Sequence, residues 1–186
     1  GFNIGLNFSY FLKNGSIKYG FDVGGYNTSL SFFNALNLNI EEFQNSTEIG
    51  FYFVDKLELG RLILEPSVRA DYYSSLSAVQ LQPRLGIKYN LTENLRVKLA
   101  GGKYAQNFLS TKSDRDVVNL FNGYLSAPEG SIEDYDGNEA KTNLQIAWHG
   151  VAGLEMDINK NLTANIEGYY KDFTQILDFN RNKLFP

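Results

Sequence analysis

The sequence predicts an all-β fold, an antiparallel up-and-down transmembrane β-barrel segment of about eight strands. Three observations carry this: apolar residues recur with a period of two almost from end to end, the opposite phase collects the charges, and connections alternate strictly between short and long. Composition agrees, since 14 Phe, 12 Tyr and 17 Gly against 4 Pro in 186 residues is the balance of strands and turns.

Each strand can be read in order. Phe2, Ile4, Leu6, Phe8 and Tyr10 form the first, and Asn14-Gly15 supplies a hairpin dipeptide tolerant of positive φ. Ile17, Tyr19, Phe21 and Val23 return as the second strand, and Ile49, Phe51 and Phe53 mark the third. After a turn at Leu59-Gly60, Leu62, Leu64, Val68 and Ala70 make the fourth, which Pro66 weakens because it cannot donate to a ladder. Leu81, Leu85, Ile87 and Tyr89 give the fifth, 90–94 a turn, and Leu95, Val97 and Leu99 the sixth. Leu144, Ile146, Trp148, Ala152, Leu154 and Met156 make the seventh, 159–161 a turn, and Leu162, Ala164, Ile166 and Tyr170 the eighth.

The other phase holds Arg61, Glu65, Arg69 and Asp71, then Arg84 and Lys88, Arg96 and Lys98, and Glu155, Glu167 and Lys171. One uncharged face and one charged face suit a soluble sheet with its apolar side inward, and equally a barrel with its apolar side on lipid. The connections favour the barrel, although a soluble ligand-binding barrel could share them. Short turns at Asn14-Gly15, Leu59-Gly60, 90–94 and 159–161 alternate with longer links at 27–46, 72–79 and 103–142. In a meander that order puts every tight turn at one rim and every long loop at the other, as outer-membrane barrels do. The whole of 1–186 reads as one barrel region with long loops 27–46 and 103–142 and no plug domain.

Several function classes are excluded or unsupported. A net charge of −4 (17 basic against 21 acidic residues) argues against a nucleic-acid arm, and zero cysteines remove disulfides, thiolate metal sites and a cysteine nucleophile. No apolar run is long enough for a transmembrane helix, and neither dinucleotide nor phosphate-loop glycine motifs occur, so no cofactor is implied. His149 is the one histidine, in the polar phase of the seventh strand, and without a G-x-S-x-G motif it predicts no hydrolase. The loop 103–142 is too long for a passive link. Its Tyr104, Phe108, Phe121, Tyr124 and Tyr135 are the candidate substrate contacts. The stretch from Ala127 to Lys141 holds Glu129, Glu133, Asp134, Asp136 and Glu139 against one Lys, so −5 + 1 gives −4, and Asp134, Asp136 and Glu139 are a weak calcium candidate lacking a calcium loop's spacing. Tyr72, Tyr73, Tyr89, Trp148, Tyr169 and Tyr170, near strand ends, suit an interfacial aromatic girdle.

Three segments resemble the TonB-dependent outer-membrane receptors. Ser67-Val68-Arg69-Ala70-Asp71-Tyr72-Tyr73 is similar to a strand of theirs ending in Arg-x-Asp-Tyr, Leu81-Gln82-Pro83-Arg84 through Lys98 to their Pro-Arg hairpin, and Gly153-Leu154-Glu155 through Lys171 to a later hairpin. The resemblance implies a piece of a 22-stranded barrel in the bacterial outer membrane, which encloses a plug and imports siderophores, cobalamin, saccharides or peptides with energy from TonB. The implied partners are the lipid bilayer, the plug, the remaining strands, TonB and the nutrient. The alternative is a complete eight-stranded barrel acting as adhesin or anchor.

Overall fold

The computed structural model describes residues 1–33, 39–110, 124–127 and 142–177. These form ten strands: β1 (Phe2–Leu12), β2 (Gly15–Phe33), β3 (Asn39–Leu59), β4 (Leu62–Tyr73), β5 (Ala78–Asn90), β6 (Leu95–Gln106), β7 (Phe108–Ser110), β8 (Tyr124–Ser126), β9 (Gln145–Asn159) and β10 (Leu162–Gln175). Eight make one antiparallel sheet in the order β1-β2-β3-β4-β5-β6-β9-β10, and β7 pairs with β8 apart from it. Among the described residues β1 pairs only with β2 and β10 only with β9, so the sheet is an open wall rather than a closed eight-stranded barrel.

Register fixes the two faces, because side chains alternate along each strand and direct partners share a side. The pairs Leu64↔Ile87, Leu85↔Gly101, Leu99↔Ala152 and Leu154↔Ile166 put the apolar phase of successive strands on one surface. Ile4, Leu6, Phe51, Leu85, Leu99, Leu154 and Ile166 on it are all exposed. A contiguous apolar surface of this extent is what lipid contact requires. Tyr89, partner of Leu62 near the short-turn rim, and Tyr72 and Trp148 toward the other rim stand exposed on this face as girdle residues should. By register Asp55, Lys103 and Asp172 share the outward phase, toward the ends of the strands.

Tyr73 departs from the girdle expectation. It is 3% exposed and, with the buried Leu144 and Ile146, forms a small apolar cluster flanked by Leu76 and Ala105. Leu144 and Ile146, expected in the exposed apolar phase, are buried because the sheet turns irregular there: after Phe173 the β10 register shifts, and the Gln175 amide donates to the carbonyls of Thr142 and Leu144.

Strand lengths are the main correction. Residues 27–46 are not a long loop: β2 and β3 stay paired up to Phe33↔Asn39. β1 reaches only to Gly25 and β4 only to Glu48, so beyond these the β2–β3 hairpin is a two-stranded ribbon standing clear of the wall. Beyond the wall pairing continues while alternation disappears, as in Asn27-Thr28-Ser29, and periodicity reads such a ribbon as loop. The 103–142 loop likewise begins later, since β6 runs to Gln106 and β7 and β8 lie beyond it. The link expected at 72–79 is a four-residue turn, 74–77. The first two tight turns also shift by one residue, to Lys13-Asn14 and Gly60-Arg61. Gly60 has φ 64°, and Gly15 has φ 154° where a Cβ would run into the Lys56 carbonyl.

A candidate binding site on the inner wall

The face opposite the apolar surface carries a continuous row of polar side chains about halfway up the strands. Tyr52 on β3 donates to Asn7 Oδ1 on β1 at 2.7 Å. Arg69 on β4 bridges Asp22 on β2 (Nη2 to Oδ2, 3.0 Å) and Asp71 (Nε to Oδ1, 2.8 Å). Gln82 Nε2 on β5 donates to Asp71 Oδ2 at 2.5 Å and accepts from Arg84 Nη2 at 3.0 Å. The Arg84 guanidinium carbon lies 4.3 Å from the ring centroid of Tyr104 on β6, which stacks on His149 of β9 at 4.4 Å and 24°. His149 is the direct partner of Lys171 on β10, so the row crosses the whole sheet.

Glycines make this possible. Long side chains can lie flat on a sheet only where the neighbouring strand offers no Cβ. A Cβ on Gly20 would come within 2.9 Å of the Tyr52 ring, one on Gly50 would collide with the Arg69 guanidinium, and one on Gly102 would sit 2.6 Å from Arg84 Cγ. All three glycines lie in the inner phase. Their signal is visible in the sequence only once register says which side chain crosses them.

A second charged group lies nearer the short-turn rim. Arg96 binds Glu155 at 2.6 Å and Asp157 at 2.5 Å, and Lys98 pairs with Glu155 from the same side. Lys88 sits directly opposite Lys98 on β5.

Toward the long-loop rim, Asn107 ties three segments together. Fully buried, it donates from Nδ2 to Ser46 Oγ (3.4 Å) and to Glu48 Oε1 (3.0 Å), while its own carbonyl and Oδ1 both accept from the Ala127 amide at 2.8 and 3.2 Å. The chain leaving β6 therefore crosses the inner side to reach β3, and Phe108 meets Tyr26 of β2 edge-on at 4.8 Å. Residue type alone did not mark Asn107.

Of the candidate substrate contacts, Tyr104 lies on β6 and inside the polar row, not in a loop, because strand pairing with β9 extends to Gln106↔Gln145. Phe108 opens β7 against Tyr26, and Tyr124 opens β8, where its backbone pairs with Ser110. Phe108 is thus engaged with Tyr26 rather than with the Tyr104 stack. Phe121 and Tyr135, and the calcium candidates Asp134, Asp136 and Glu139, lie outside the described residues. Among the described residues no group of three or more His, Cys, Asp or Glu could hold a metal ion. Arg84, His149 and Lys171, assigned by sequence only to the charged phase, complete the site around Tyr104.

Comparisons agree with this architecture. The family model described as "TonB dependent receptor-like, beta-barrel" matches residues 1–184. Among solved structures, the outer membrane transporter YddB from Escherichia coli is similar, with a TM-score of 0.51 and 14% identity over 92% of this chain and 25% of that one. The chain thus spans about a quarter of that transporter's length. No curated protein matches it.

Proposed function

The chain belongs to the TonB-dependent receptor-like β-barrel family, whose place is the bacterial outer membrane, and from that premise we propose that it is the lumen wall of a receptor importing a scarce nutrient. The nutrient is a siderophore, cobalamin, a saccharide or a peptide, and the energy comes from TonB acting through a plug. The observation that carries the reading is the polar row spanning all eight strands of an open sheet whose other face is apolar. An open wall of this kind needs further strands to close it, and its charged inner side suits a wide wet lumen better than the crowded interior of an eight-stranded barrel. The same reading places the β2–β3 ribbon and the crossing segment at Asn107 at the outer mouth, as the rim through which solute enters. It assigns His149 to solute contact rather than to catalysis.

The test is uptake by cells carrying the full-length gene, fed in parallel with ferric siderophores, cobalamin, oligosaccharides and peptides, with TonB present or deleted. One class should enter only in cells with both the gene and TonB. Uptake that proceeds equally without TonB would overturn the proposal.

A further inference from the structure

We propose that Arg84, Tyr104, His149 and Lys171 form a subsite for an oxyanion, a carboxylate or phosphate carried by the imported solute. The inference rests on the reading of the inner face as the solute path and adds the charge class of the solute.

Position comes first. Register aligns Arg84↔Gly102 and Gly102↔His149, and then His149↔Lys171, across β5, β6, β9 and β10. Gly102 leaves the space over which Arg84 lies, with Tyr104 between the guanidinium and the imidazole. Beside the stack is a recess of about 210 Å³ lined by Tyr104, Gln106, Gln145, His149, Lys171 and Phe173. No carboxylate lines it among the described residues.

The cations here lack what cations elsewhere on the wall have. Arg69 is held by Asp22 and Asp71, and Arg96 and Lys98 by Glu155 and Asp157. Among the described residues neither Arg84 nor Lys171 makes an ion pair. Arg84 spends one nitrogen on the Gln82 amide oxygen, and Lys171 lies over the Phe173 ring at 4.7 Å. Arg84 Nε and His149 Nε2 are both buried without a hydrogen-bond partner. Buried polar atoms in folded proteins are nearly always paired, so two orphans in one stack leave hydrogen-bonding capacity that the wall itself does not use. An ammonium lining the recess, with a guanidinium held against the Tyr104 ring beside it, supplies the donors an oxyanion takes up, and Tyr104 and Phe173 offer ring faces for an apolar carrier.

The experiment uses the full-length receptor in detergent, titrated calorimetrically with inorganic phosphate and, separately, with benzoate. Saturable binding of at least one probe is expected, weakened about tenfold by Arg84→Gln and by Lys171→Gln, and unchanged by Lys88→Gln near the other rim. Preference for phosphate identifies a phosphoryl group as the natural anion, and preference for benzoate a carboxylate. Should Arg84→Gln fail to give a heat-modifiable barrel, Lys171→Gln carries the test, since Lys171 holds no hydrogen bond or ion pair in the wall. Absence of binding by both probes, or binding that neither variant weakens, overturns the subsite. TonB-independent uptake, by contrast, would overturn the proposed function while leaving this titration as it stands.

Discussion

The inner wall carries charge at two levels, and the two are organised differently. Near the short turns Arg96 and Lys98 are matched by Glu155 and Asp157. Halfway up, β2 and β4 are matched in the same way through Asp22, Arg69 and Asp71, but the row ends on β5 to β10 in cations and rings with unused polar atoms. A charge set that neutralises itself holds strands in register, whereas one left open is available to something else. The difference separates scaffold from site on a surface where composition alone looks uniform.

Three substitutions sharpen that contrast. The largest effect is expected from Leu85→Arg, which puts a cation beside Arg84, halfway along β5, but on the apolar face, without partners. It should cost about 2 to 4 kcal/mol near the bilayer midplane and depress folded barrel in outer-membrane preparations. Normal yield would show that this face does not meet lipid. Next is Asp71→Ala, which strips Gln82 of its acceptor and leaves Arg69 with Asp22 alone. Because Arg69 stays partly solvated, the loss should be about 2 kcal/mol, read as a lower temperature of heat modification on gels. An unchanged transition would mean the upper row does not hold the wall together. The smallest effect belongs to Glu155→Gln, which leaves Arg96 and Lys98 facing Asp157 and the nearby Lys88. The heat transition should fall slightly at low salt and recover as ionic strength rises, while phosphate binding at Arg84 and Lys171 stays unchanged. A salt-independent loss would show that Glu155 acts through packing rather than charge.

The eight wall strands were legible in the sequence because lipid on one side and water on the other write a two-residue period into each of them, from Phe2, Ile4 and Leu6 to Leu162, Ala164 and Ile166. Beyond the wall, in the ribbon from Tyr26 to Phe33, that pressure vanishes and the strand reads as loop. The site was half legible. Tyr104 was singled out for being aromatic, and Arg84, His149 and Lys171 fell in the charged phase. Their meeting depends on the register of three strand pairs, β5–β6, β6–β9 and β9–β10, one of them bridging the long segment 107–144, and local pattern cannot set a register across such a gap. Asn107 was missed for the same reason, its partners Ser46 and Glu48 lying on β3.

Strand order also fixes how such a wall can be built in time. Every neighbouring pair in the sheet except one joins strands consecutive in the chain through a connection of a few residues or a single hairpin, so those pairings can zip from local nuclei within microseconds to milliseconds. The β6–β9 seam is the exception, because residues 107–144 must close a loop before its first rung forms. Loop-closure entropy rises only logarithmically, by about 0.6 kcal/mol per doubling of length. The seam is therefore expected to be the slowest pairing of the wall to form, yet one whose barrier is nearly indifferent to how long the segment between Gln106 and Gln145 becomes. That segment can lengthen or diversify over evolutionary time with little penalty to assembly, while the strands on either side cannot shift by a single residue without turning the Tyr104 stack outward.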